Sequence, residues 1–301
     1  MRIVIAGGTG FLGAPLARAL ESDGCEVTRL SRGAATREGV QWQPDGSVGA
    51  WSSALNGAAA VVNLAGESIG ARRWTAAQKR RILESRVLAT RGIALAIQRA
   101  SPRPAVLINA SGINYYGDRA DEIVTEESAP GSDFLADVCR AWEREALAAE
   151  RAGTRVVRLR SGMVVDRGGG ALAEMIRPFR FGVGGPLGSG RQYMPWIHRE
   201  DWIALVRFLL QRADARGAFN VTAPAPVTNE EFTKALGRAM HRPTLLRAPG
   251  FALKVMLGEM AGPLLLNSCR AVPARALALG FAFTYPTIDE ALAAIFASRS
   301  A

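Results

Sequence analysis

One segment limits the possible folds more than any other: RIVIAGGTGFLGAPLARAL, residues 2–20. An apolar run leads straight into three glycines spaced by three, Gly7, Gly10 and Gly13, and an amphipathic stretch follows. The same string also satisfies G-x-G-x-x-G through Gly8, Gly10 and Gly13. A strand that turns tightly into a helix needs glycine for the turn, for close approach of a ligand to the backbone, and for helix–strand contact. The helix start then offers free N–H groups and a partial positive charge to an anion. The pattern predicts a phosphate cradle at the head of an α/β unit.

The first half of the chain supports that prediction. Apolar runs at 26–31, 59–66, 105–111 and 155–162 alternate with helical periodicity at 11–24, 74–100 and 134–153. Runs such as AVVNL, apolar at nearly every position, suit strands buried on both faces, as in a parallel sheet. Repeated strand–helix–strand units predict a doubly wound parallel α/β sheet with right-handed crossovers. Thr75 with Gln78, Thr228 with Glu231, and Thr287 with Glu290 are capping-box pairs, and Gly24 and Gly153 stand where helices end. After residue 165 the texture changes to glycine-rich sequence, then helix (199–212), a short strand (217–222) and short helices. We read a dinucleotide-binding domain at 1–165, to which 199–222 returns, and a smaller C-terminal lobe within 166–301. The glycines of GVGGPLGSG (182–190) suggest a flexible flap, with Arg191 and Gln192 behind it as candidate substrate contacts.

Composition sets outer bounds. With 49% hydrophobic and 21% charged residues the chain is ordinary for a globular protein. No apolar run reaches the roughly 18 residues that span a bilayer, so a soluble, cytoplasmic protein without a membrane partner is expected. Three scattered cysteines and two histidines argue against a disulfide framework or a metal site. The net charge of +10 is carried almost wholly by arginine. It is spread along the chain and locally dense only in ARRW and QKRR (71–81). Nucleic acid is therefore not the expected partner; a favourable field for a small anionic ligand is.

The end of the second strand bears on the choice of ligand. A site for NAD usually has an acid about 20 residues after the loop, bonded to the ribose 2′-hydroxyl. Here VTRL runs into Ser31 and Arg32, with no acid. An arginine and a hydroxyl suit a 2′-phosphate, so NADP(H) is expected over NAD(H).

GGTGFLG, NLAG (63–66), SGINYYG (111–117), RSGMVVDRGGGAL (160–172), PFRFGVGGPLGSGRQYMPWIHRED (178–201) and VPARALALGFAFTYP (272–286) together resemble the extended short-chain dehydrogenase/reductase superfamily. Within it, the chain resembles the atypical epimerase-like branch with a small C-terminal domain. The resemblance covers essentially the whole chain and implies a Rossmann fold. It implies that Gly7, Gly10, Leu12 and Gly13 hold the pyrophosphate and that Ser31 and Arg32 hold the 2′-phosphate. Leu64 and Ala65 would run beside adenosine and ribose, Arg86 would reach the cofactor, and backbone near Val164 the nicotinamide end.

The superfamily's proton chemistry uses a Ser or Thr, a Tyr, and a Lys four residues after that Tyr. Matched to this chain, those places fall on Gly112 (beside Ser111), Leu135 and Cys139. No Tyr-x-x-x-Lys occurs anywhere in the sequence. Tyr115 and Tyr116 then stand as candidate replacements or as walls of the pocket. His198 is a candidate acid/base or a structural histidine at a helix start. Cys139 reads as a packed helix cysteine. Two functions remain open: an NADP(H)-dependent oxidoreductase or epimerase-like enzyme moving hydride at a carbonyl or alcohol carbon, and a catalytically inactive NADP(H)-binding sensor or scaffold, as relatives linked with division suggest.

Overall fold

The computed structural model describes residues 1–33 and 39–297. Its strands, in chain order, are β1 (Arg2–Ala6), β2 (Glu26–Ser31), β3 (Gly39–Gln41), β4 (Ala60–Asn63), β5 (Val106–Gly112), β6 (Ile123–Val124), β7 (Arg155–Ser161), β8 (Met163–Val165), β9 (Tyr193–Met194), β10 (Trp196–His198), β11 (Gly217–Val221), β12 (Val227–Thr228) and β13 (Arg270–Ala271). The main helices are α1 (Gly13–Ser22), α2 (Ala76–Arg99), α3 (Phe134–Leu147), α4 (Gly170–Arg180), α5 (Arg199–Gln211), α6 (Asn229–Met240) and α7 (Gly250–Leu257); Ala274–Ala278 and Ile288–Ala297 are also helical.

Seven strands form one parallel sheet in the order β11-β7-β5-β4-β1-β2-β3. The chain winds outward from β1 in one direction through β2 and β3. It then crosses over and winds the other way from β4. The strand order therefore reverses between β1 and β4, and the carboxyl ends of those strands are where an open α/β sheet takes its ligand. The apolar strand sequences follow from burial on two faces. Ile3 and Ile5 pack with Leu16 of α1 and Trp202 and Leu205 of α5, while Val4 and Ala6 pack with Ile93 and Ile97 of α2. β3, at the sheet edge, has no apolar run and is not apparent in the sequence.

Helix boundaries follow local chemistry. Thr75 caps α2 by accepting from the Gln78 amide at 3.1 Å. The Gln78 side chain turns instead to Glu67, at 2.8 Å. Thr228 and Glu231 form the full reciprocal box. β11 lies next to β7 as an edge of the main sheet. A further hydrophobic cluster brings Phe232 and Leu236 of α6 against Ile288 and Leu292.

The segment 182–190 is not the loose flap its glycines suggest. Gly188 N donates to Ala248 O at 2.8 Å, Ala248 N to Pro186 O at 2.9 Å, and Leu187 N to Asn229 Oδ1 at 2.7 Å. A Cβ on Gly185 would collide with the Leu246 carbonyl, so that glycine is there for close backbone approach. Gln192 is likewise turned inward: it is buried, and its amide donates to the Leu187 and Leu265 carbonyls, both at 3.0 Å. Arg191 is exposed.

Candidate functional site

The cradle is built from backbone. Gly7 has φ +77°, a left-handed conformation that costs other residues energy. A Cβ there would stand 3.0 Å from the Leu64 carbonyl group. A Cβ on Gly13 would collide with the Gly7 carbonyl oxygen, so α1 packs directly onto the turn. Gly10 N donates to Gly7 O at 3.1 Å and closes the loop. No acid occupies the first turn of α1, and its N-terminus keeps its partial positive charge for an anion. Thr9 and Gly10 are exposed and Leu12 half-buried.

The other cofactor candidates gather at the same sheet edge. Leu64 N is bonded to Ala6 O at 2.9 Å, and Ala65 N to Asn63 Oδ1 at 3.2 Å, so the end of β1 just before Gly7 and the loop after β4 run together. Arg86, half-buried on α2, lies against that loop; a Cβ on Gly66 would be 3.1 Å from its Cζ. Its guanidinium rests on the Trp142 ring, 5.0 Å from the centroid, and Nη1 donates to Ile82 O at 3.1 Å. Burial pulls Arg86 below its ordinary pKa. Val164 meets the cradle through Gly170, where a Cβ would lie 3.0 Å from Phe11 and 3.5 Å from the Val164 carbonyl oxygen. Ser31 ends β2, next to β1, and Arg32 beyond it is exposed.

Beneath the edge lies a fully internal polar layer. Asn63 Nδ2 donates to Asn109 Oδ1 at 2.7 Å and to Thr90 Oγ1 at 2.8 Å, and Trp142 Nε1 donates to the same hydroxyl at 2.8 Å.

Tyr116 belongs to a second such layer. The residue is 0% exposed. Its hydroxyl donates to Asn220 Oδ1 at 2.7 Å and accepts from Arg160 Nη1 at 2.8 Å. Arg160 also grips Glu143 through Nε (2.8 Å) and Nη2 (3.0 Å). Ser111 Oγ and Arg158 Nη1 complete the Glu143 carboxylate at 2.9 and 2.7 Å. Burial drives the Tyr116 phenol far above its ordinary value, against the opposing pull of Arg160. The Tyr116 hydroxyl, expected as a candidate for handling a proton, is thus engaged on both sides inside the protein. Tyr115 is half-buried, with the Arg160 guanidinium 3.5 Å from its ring centroid and the Tyr116 ring edge-on at 5.3 Å.

His198 is engaged internally as well. It is 4% exposed, its Nδ1 accepts from Glu200 N at 3.2 Å as the cap of α5, and its ring packs 4.0 Å from that of Tyr285. Burial lowers its pKa. Asp201 beside it accepts from the Thr284 and Tyr285 amides at 2.8 and 2.9 Å, tying the C-terminal segment to α5.

The places matched to the usual catalytic set do come together, with other residue types in them. Cys139 Sγ lies 3.6 Å from Gly112 O, and Leu135 is one turn earlier on α3. Burial pushes the Cys139 thiol up to about 11, with Glu143 adding to the effect, so it is not a thiolate near neutral pH. Among the described residues no group of His, Cys, Asp or Glu is arranged to hold a metal. The network around Glu143 and Arg160 was missed by sequence reasoning. Its signal was present: Arg158 and Arg160 inside RVVRLRS, a strand otherwise apolar enough for a sheet centre.

A switch-point cradle of glycines under an acid-free strand end defines a dinucleotide-binding protein of the doubly wound class. The chain belongs to the NAD dependent epimerase/dehydratase family, whose model matches residues 3–222; a domain of unknown function (DUF1731) matches residues 248–295. It is 41% identical over 291 residues to an epimerase family protein of Mycobacterium leprae, covering 96% of this chain and 94% of the other. It is 40% identical over 305 residues to the epimerase family protein YfhF of Bacillus subtilis, covering 99% of each. The human epimerase family protein SDR39U1, crystallised with NADPH, superposes with a TM-score of 0.92 at 34% identity, over 99% of both chains. Among the described residues, no helix is long and apolar enough to cross a membrane.

Proposed function

We propose that this chain binds NADP(H) at the switch point between β1 and β4 and uses it for hydride transfer to or from a carbonyl or alcohol carbon of a small polar substrate. The observation that carries the cofactor choice is the end of β2, where Ser31 and Arg32 stand in place of an acid. NADPH in the human relative supports the same reading. The cradle fits the group: the Gly7–Gly13 turn leaves backbone N–H groups for the pyrophosphate, Leu64 and Ala65 border the adenosine side, and Arg32 meets the 2′-phosphate. Arg86 supplies a fixed cation over Trp142, and the backbone near Val164 borders the nicotinamide end. When bound, the nicotinamide supplies or accepts the hydride. With Tyr116 and His198 engaged internally, Tyr115 is the remaining candidate for donating a proton at the β5 edge.

A second reading is an NADP(H)-binding sensor or scaffold without catalysis. It is favoured by one specific observation: the three ionisable candidates Tyr116, His198 and Cys139 are all buried. Thermal unfolding separates the issues. NADPH should raise the melting temperature well above the effect of equal NADH, and Arg32→Ala should weaken NADPH by roughly tenfold or more, the worth of a charge-assisted contact. Equal stabilisation by NADH would overturn the cofactor choice. A panel of carbonyl substrates that leaves NADPH unoxidised by wild type, with Tyr115→Phe indistinguishable from it, would favour the sensor.

A further inference from the structure

The C-terminal lobe carries an apolar face that the cofactor site does not use. Phe181, Leu245, Leu246, Phe251, Val255 and Met256 expose between 58 and 87% of their surfaces. They adjoin one another through backbone. The 182–188 segment runs beside 245–249, joined by the Gly188–Ala248 and Ala248–Pro186 hydrogen bonds, and α7 starts at Gly250 directly afterwards. On α7, Phe251 and Val255 stand one turn apart, as do Ala252 and Met256, while Leu253 turns inward. Soluble monomers rarely leave contiguous apolar patches of this kind bare.

Cations border this face. Arg180 ends α4, Arg242 precedes Leu245, and Lys254 lies within α7; all three are exposed. The basic stretch near residue 72 arrives from the other domain, where exposed Arg73 donates to the Val255 carbonyl at 3.4 Å. The neighbouring Lys79 and Arg247 are paired with Glu259 and Glu230. Arg73, Arg180, Arg242 and Lys254 make no ion pair among the described residues. A second copy docked symmetrically would set these cations against themselves. An anionic bilayer surface complements both parts, headgroups meeting the cations and acyl chains the apolar centre.

We propose that the α7 face is a peripheral docking surface for membranes rich in anionic phospholipid, a partner the sequence reading did not expect. The test is flotation of the full chain with vesicles of phosphatidylcholine alone or of phosphatidylcholine with phosphatidylglycerol. Recovery should rise with phosphatidylglycerol and fall in high salt. Phe251→Asp with Val255→Asp should lower binding by at least about tenfold, and Arg242→Gln with Lys254→Gln by roughly fivefold per cation. Both variants should keep the wild-type melting temperature and its NADPH response. If the aspartate variant fails to fold, the glutamine variant carries the test. Recovery no better with anionic than with neutral vesicles would overturn the proposal, as would variants that float like wild type. So would a wild-type dimer that the aspartate variant converts to monomer without any vesicle binding, since the face would then belong to a second copy.

Discussion

Two regions at the carboxyl edge of one sheet handle polar groups in opposite ways. At the end of β1 the chain uses glycine, so that backbone N–H groups face outward and no side chain competes for them. Around the ends of β5, β7 and β11, with α3 against them, it uses Ser111, Tyr116, Glu143, Arg158, Arg160 and Asn220, and each engages another inside the protein. The first arrangement leaves donors for a ligand. The second spends them on holding strands, helix α3 and the C-terminal segment in register; Asn220 also donates to Val272 O at 3.0 Å. A tyrosine at a sheet edge is thus not evidence of catalysis until the destination of its hydroxyl is known.

Breaking the closed region should have the largest effect. Glu143→Ala leaves Arg160, 4% exposed, without its carboxylate, and removing one partner of a buried pair costs about 3–5 kcal/mol. Urea unfolding should register that loss; a variant within about 1 kcal/mol of wild type would mean the network is not structural. Breaking the open region should leave stability less affected and binding abolished. Gly13→Val drives a side chain into the Gly7 carbonyl, and titration should find NADPH affinity reduced by more than about tenfold, since a 1.4 kcal/mol misfit already suffices for that. Retained NADPH binding in this variant would move the cofactor away from the cradle. Tyr116→Phe sharpens the contrast. It strips partners from Asn220 Oδ1 and Arg160 Nη1 and should cost about 1–3 kcal/mol of stability, with NADPH affinity unchanged. A variant that keeps its stability and loses turnover would return Tyr116 to catalysis.

What the sequence reveals differs between the two regions for a physical reason. The cradle is local: strand, glycines and helix lie within twenty residues, and each glycine answers a constraint set by its neighbours. The two-faced strands are local too, because burial on both sides leaves no polar position to interrupt them. The closed network is not local. Tyr116 and Asn220 lie 104 residues apart, Arg160 and Glu126 34, and only the β5–β7–β11 order brings them together. Pattern alone shows Tyr115 and Tyr116 as a pair and says nothing of where each hydroxyl points. The glycines at 182–190 mislead for a related reason: glycine permits mobility, and it also permits the close backbone contact that Gly185 makes with residue 246.

His198 offers the mildest test of the same contrast. Its ring is held neutral by burial, and its Nδ1 serves as an acceptor for Glu200 N, a role a protonated ring cannot fill. The folded-state pKa lies below the ordinary 6.5, so just under that pH the unfolded chain binds a proton that the folded chain refuses. Stability contributed by the neutral ring is complete above about pH 6.5 and declines as the pH falls through that value toward the folded pKa, by at most about 1.4 kcal/mol per pH unit. His198→Asn keeps a capping side chain and removes the titration, so its melting temperature should fall less between pH 7 and pH 5.5 than that of wild type. Parallel declines would mean that other groups govern the acid limb. A wild-type pH–rate profile with an acid-limb inflection that His198→Asn abolishes, its stability intact, would place the imidazole in the open region rather than the closed one.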